Sequence, residues 1–172
     1  ACTAVGSSNN AVTLAERWNG TSWSIQTTPD PGVSSSFAGV SCTLSTACTA
    51  VGTYEYGSAA LAERWNGTSW SIQTAPPSSL SGVSCTSSTL CTAVGSSGDW
   101  GYVVAERWNG TSWSIQIAPT PGISSGLTGI SCTSSTACTA VGWYENSSGT
   151  SFTLAERWNG TSWSIQTTPD PG

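Results

Sequence analysis

Seven cysteines and no histidine set the chemistry open to this 172-residue chain. Six of the cysteines form three pairs with one spacing: Cys42 and Cys48, Cys85 and Cys91, Cys132 and Cys138. Each pair flanks a short polar turn. Two antiparallel strands joined by that turn would bring opposed Cβ atoms to about 4.5–5.5 Å, within reach of a disulfide. Metal binding is the competing use of the same thiols. It would need ligands from separate units with no imidazole to complete the set. Three local disulfides and an oxidising, extracellular or secreted location are therefore expected. Cys2 is the odd one, expected to be free or bonded to a neighbouring chain.

Other reactive groups are sparse. Four arginines, no lysine and nine acids leave a net charge of −5. There is no basic footprint for a nucleic-acid backbone, so no nucleic-acid partner is expected. Without histidine the chain lacks the commonest general base and metal ligand, and no metal or cofactor is expected. Two carboxylates from different loops could face each other as a glycosidase pair, but no spacing selects them. The expectation is a protein that is not an enzyme. No apolar run reaches the roughly 18 residues of a membrane helix, so no membrane insertion is expected. The absence of an initiator methionine and of a leader pattern reads as a processed chain or a fragment.

Aromatic residues outside the recurrent strings concentrate in segments 6–12, 52–60, 95–104 and 142–152. Aromatic planes stack on the apolar faces of sugars, and carboxylates accept hydroxyl hydrogens. The expected ligand-binding residues are Tyr54, Glu55, Tyr56, Asp99, Trp100, Tyr102, Trp143, Tyr144 and Glu145. The expected ligand is a glycan or an extracellular protein, since Tyr and Trp suit both. The competing use of the same rings, with Phe152, is packing over one end of the fold.

These residues must be held by repeated elements. The string AERWNGTSWSIQ occurs unchanged at 15–26, 62–73, 105–116 and 155–166. A second string, SCTxSTxCTAVG, occurs at 41–52, 84–95 and 131–142, and its back half opens the chain. Equivalent tryptophans (Trp18, Trp65, Trp108, Trp158) are 47, 43 and 50 residues apart, a period that fits propeller blades. In the second unit four strand-like runs are expected at 37–42, 48–52, 60–65 and 70–73. The predicted fold is all-β: a β-propeller of four-stranded antiparallel blades. Its parts are a partial blade at 1–32, lacking its leading strand, and blades at 33–77, 78–122 and 123–172. Asn66-Gly67 predicts a type I′ hairpin with positive φ at both residues. The register is open: Trp65 faces either Thr68 or Trp70, and aromatic pairing favours Trp70.

The run AERWNGTSWSIQTTPDP resembles the kelch motif, in which an acidic residue precedes an aromatic, a turn, a tryptophan and a proline-rich exit. CTAVG resembles the glycine-ending second strand of a kelch blade. The chain departs from that pattern in its single glycine, its shorter turn and its cysteine pair. NGTSW is more distantly similar to the aspartate box of sialidase propellers. The resemblance implies a propeller and leaves the activity open.

Arg17, Arg64, Arg107 and Arg157 each follow a glutamate. Neighbours on a strand point to opposite faces, so each arginine is expected to bond across to the next blade rather than to that glutamate. Asn19, Asn66, Asn109, Asn146 and Asn159 match the glycosylation acceptor pattern, although turn chemistry alone accounts for the four Asn-Gly-Thr sites. An alternative function is structural: a repeat protein assembling into homo-oligomers or filaments through the incomplete blade and Cys2.

Overall fold

Each repeat folds on itself before it meets its neighbours, because short β-prone runs alternate with Gly-, Ser- and Asn-rich turns. The computed structural model describes residues 1–9, 11–97 and 101–169. Blade 1 has three strands, β1 (Cys2–Ser7), β2 (Thr13–Trp18) and β3 (Trp23–Gln26). Blade 2 comprises β4 (Ser36–Leu44), β5 (Ala47–Tyr54), β6 (Ala59–Trp65) and β7 (Trp70–Gln73). Blade 3 comprises β8 (Ser79–Ser87), β9 (Leu90–Ser96), β10 (Val103–Trp108) and β11 (Trp113–Gln116). Blade 4 comprises β12 (Ser124–Ser134), β13 (Ala137–Glu145), β14 (Ser151–Trp158) and β15 (Trp163–Gln166). Every sheet is an antiparallel meander with strands in chain order. This is the all-β, propeller-like arrangement expected, with the leading strand absent from blade 1.

The tryptophan hairpins settle their register. Trp18 faces Trp23, Trp65 faces Trp70, Trp108 faces Trp113 and Trp158 faces Trp163. The paired rings lie 5.7–5.8 Å apart. The turn itself differs from the I′ expectation. Positive φ falls on the glycine alone (98° at Gly67) and not on the asparagine. Asn66 stands one place earlier and acts as an Asx cap: its Oδ1 accepts the amide hydrogens of Thr68 and Ser69 at 2.9 Å. Asn19, Asn109 and Asn159 do the same.

Cys42–Cys48, Cys85–Cys91 and Cys132–Cys138 are joined as disulfides across the first hairpin of their blades. Cys2 is an exposed free thiol.

Blades stack through two unlike faces. On blade 3 the forward face carries Val94, Val103 and Ala105, and the rear face carries Cys91, Ala93, Glu106, Trp108 and Trp113. Forward residues of blade 2 (Val51, Ala60, Ala62) and rear residues of blade 3 form one apolar cluster. Val94, Val103 and Ala105 form the next with Cys138, Ala140, Trp158 and Trp163 of blade 4. Ala15 of blade 1 packs into the equivalent rear cluster of blade 2. The leading strands β4, β8 and β12 also touch, and glycine permits their close approach. A Cβ on Gly39 would stand 3.4 Å from Gly82 Cα, and one on Gly82 3.3 Å from Gly129 Cα. The outermost faces of the arc are uncovered. Val141, on the forward face of blade 4, is 51% exposed, whereas Val51 and Val94 are fully buried.

Candidate functional site

Two of the three blade junctions place a similar set of side chains around a similar hollow. At the first junction Gln26, Thr27, Thr28 and Pro29, leaving blade 1, meet Trp65, Thr68, Ser69 and Trp70 of blade 2. Together they line a groove of about 450 Å³. At the third, Gln116, Ile117, Ala118 and Pro119 meet Trp158, Thr161, Ser162 and Trp163 around about 470 Å³. The glutamine orients the floor: Trp70 Nε1 donates to Gln26 Oε1, and Trp163 Nε1 to Gln116 Oε1, both at 3.1 Å. At the second junction Gln73 instead donates to the backbone and hydroxyl of Ser71, and Trp113 Nε1 is buried without a partner. No ionisable side chain lines the first or third groove. Indole rims, a proline ring, hydroxyls and a carboxamide make a surface suited to a neutral polyol with one apolar face.

The arginines tie the junctions as expected. Arg17 donates to the Ser45 carbonyl at 2.6 Å, Arg107 to that of Ser135 at 3.0 Å, and Arg64 to that of Ser88. Each guanidinium also lies over a tryptophan of the following blade, 5.0–5.8 Å from the ring centre. These contacts hold blades and leave the grooves neutral. Arg157, on the uncovered face of blade 4, is exposed.

Sequence reasoning missed the glutamates beside them. Glu63, Glu106 and Glu156 are fully buried on the rear faces. The available signal was periodicity: residues two apart on a strand share a face, so a glutamate two places before a buried tryptophan is buried with it. Desolvation raises all three carboxyls, to about 8 for Glu63 and about 7 for Glu106 and Glu156.

The loop residues expected to bind ligand fall into different situations. Asp99 and Trp100 lie outside the described residues. Tyr54, at the end of β5, packs against the first-junction cluster. Tyr144, its counterpart on β13, packs against the third-junction cluster and stacks on Phe152 at 5.2 Å. Glu55 and Tyr56 form a short 3-10 turn with φ of 51° and 58°, which leaves Tyr56 83% exposed. Tyr102 is exposed, and its backbone carbonyl accepts the Ser97 amide at 2.8 Å. Trp143 is exposed on the forward face of blade 4, beyond Val141. Glu145 is half-buried, and its backbone carbonyl accepts the Ile123 amide at 2.8 Å. The described ones are spread over blades 2, 3 and 4. Among the described residues, Tyr144 with Phe152 is the one stacked pair the loops form. The loops do share an end with the interblade connections, through Ser35 N to Ala11 O and Glu55 N to Val33 O, both 2.8 Å. At Asn146, Oδ1 accepts the Ser148 and Thr150 amides, another capping role for an acceptor-pattern asparagine.

No protein-family model matches the chain, and no curated protein does. Among solved structures it is similar to a fucose lectin from Kordia zhangzhouensis in complex with methyl-fucoside. That likeness has a TM-score of 0.50 at 12% identity and covers 76% of this chain and 99% of that one. It is a likeness of fold alone. The kelch resemblance remains one of repeat motif. Three disulfides fit an extracellular protein, and among the described residues no helix is long and apolar enough to cross a membrane.

Proposed function

We propose that the chain is a secreted, non-enzymatic carbohydrate-binding propeller that takes neutral glycans in the grooves between its blades. One observation carries this reading: the same uncharged groove, with two indoles, a glutamine, a proline and paired hydroxyls, is formed at both the first and third junctions. The fold likeness to a fucose lectin supports the ligand class. A neutral ligand also suits an acidic chain, since the net charge of −5 disfavours anionic sugars.

Blocking variants test the location. Thr68 and Thr161 line the two grooves and are exposed, and Thr111 is their exposed counterpart on blade 3, so arginine at these positions fills the hollows without touching the core. The T68R/T111R/T161R variant should lose at least about tenfold in affinity for neutral methyl glycosides by calorimetry, equivalent to about 1.4 kcal/mol. The variant Y56A/Y102A/W143A should bind as the parent does. The opposite pattern would move the site to the aromatic loops. Absence of heat from the parent across the glycoside panel would end the proposal.

The uncovered faces of blades 1 and 4 favour a second reading, an extracellular structural protein assembling end to end. It requires oligomers that V141E disperses; a sharp monomer mass by light scattering would remove it.

A further inference from the structure

We infer that the three blade junctions are pH-sensitive joints, in which Glu63, Glu106 and Glu156 seat the blades as neutral acids and loosen them as carboxylates.

Each glutamate sits on the third strand of its blade, fully buried against the blade before it. Their oxygens are poorly served. Glu106 Oε1 accepts a hydrogen bond from Ser78 Oγ at 2.8 Å, but its Oε2 is buried without a partner. Both oxygens of Glu63 and both of Glu156 are buried without one. A carboxylate cannot remain in such a place without several kcal/mol of desolvation cost. A protonated carboxyl carries no charge and costs far less.

Among the described residues no facing group neutralises them. At the first junction the charged groups are Asp30, in the turn before β4, and Arg17 on β2. Asp30 is a second anion, and it draws away the hydroxyl that could help: Ser35 Oγ donates to Asp30 Oδ1 at 3.0 Å. Arg17 is committed to the Ser45 carbonyl and the Trp65 ring. At the second and third junctions the facing cations are Arg64 and Arg107, committed in the same way to Ser88 and Trp108 and to Ser135 and Trp158. Ser125, the counterpart of Ser78, is buried with its hydroxyl unpaired.

Desolvation, with Asp30 adding to it, raises Glu63 to about 8. Desolvation raises Glu106 to about 7 against the opposing pull of Ser78, and Glu156 to about 7. In the unfolded chain these groups ionise near 4.5. Between about 4.5 and 8 the folded protein therefore holds protons that the unfolded chain releases, and raising the pH favours unfolding. Below that window the three glutamates add no pH dependence, and above it their cost levels off. The slope is opposite to that of a protein whose carboxylates are salt-bridged. Glu16, the fourth copy, is only half-buried on the uncovered rear face of blade 1 and serves as an internal control.

Thermal melts of the full chain at pH 5.5 and 8.5 test the joint. The midpoint should fall by roughly 10 °C at the higher pH, as three unmet burials in a chain of this size imply. E63Q/E106Q/E156Q should flatten the profile and hold its acid-side midpoint at pH 8.5, while E16Q should follow the parent. A parent midpoint that is level or rises toward pH 8.5, or an E16Q chain that behaves as the triple variant, would overturn the inference. If the triple variant does not fold, a carbon-13 titration of the parent glutamate carboxyls decides. Three midpoints above about 6 support the joint, and all midpoints near 4.5 contradict it.

Discussion

Alanine in place of Gly95 is expected to stop blade 3 from closing, whereas alanine in place of Gly6 should leave the protein folded and slightly more stable. The two glycines occupy the same place in the CTAVG string. Gly95 lies on β9, where the start of β8 bends at the Leu80/Gly82 irregularity and crosses over it. A Cβ there would overlap the Ser79 carbonyl oxygen and stand 2.8 Å from its carbon and 3.0 Å from Leu80 Cα. All three obstacles are backbone, so no rotamer change relieves them. The same holds at Gly52 beneath Ser36 and at Gly142 beneath Gly126. Overpacking of this kind costs about 1–3 kcal/mol when side chains can yield, and more when the backbone must move. Blade 1 has no leading strand, and a Cβ on Gly6 meets nothing within 4 Å. There the substitution gains up to about 0.5–1 kcal/mol from reduced backbone freedom in the unfolded chain. Urea unfolding of G95A and G6A beside the parent measures both signs. Equal effects would mean that no strand crosses at Gly95.

A second contrast uses the tryptophan hairpins. Trp113 and Trp23 end the identical string WNGTSW and pair with Trp108 and Trp18 in the same register. Trp113 is 6% exposed because Val51, Ala60 and Ala62 of blade 2 cover it, while Trp23 is 49% exposed on the uncovered rear face of blade 1. Trp113→Ala removes a large buried side chain and should cost about 3–5 kcal/mol. Trp23→Ala loses a partly exposed ring contact and should cost under about 1.5 kcal/mol. Denaturant titrations compare them directly. If Trp23→Ala is as costly as Trp113→Ala, the rear face of blade 1 is covered in solution.

The blade was legible because its signals are local. Paired strands follow from turn residues, the disulfides from one spacing repeated three times, and the Trp65–Trp70 register from aromatic pairing across Asn-Gly. The turn type was not legible, because Asn66 is equally suited to a central position and to capping the amides that follow. The grooves had no local signal at all. Each is made by the exit of one blade and the hairpin of the next, residues about 40 apart in the chain. Glu106 was hidden by its neighbour: beside Arg107 it looks like half of a surface charge pair, and only its phase with Trp108 puts it inside. For the loop aromatics the sequence leaves two uses open, ligand contact and packing. Tyr54 and Tyr144 looked like spare aromatics because they lie outside the recurrent strings, yet they pack against the junction clusters. Tyr56, with no such cover, stands exposed.

Counting bound sugars by native mass spectrometry tests the central claim most directly. Methyl-fucoside and a panel of other neutral methyl glycosides serve as probes. The grooves at the first and third junctions require that at least one probe saturate at no fewer than two molecules per chain, and that T68R/T111R/T161R retain none. Saturation of every binding probe at one molecule, or no retention across the panel, would contradict a propeller that holds glycans between its blades.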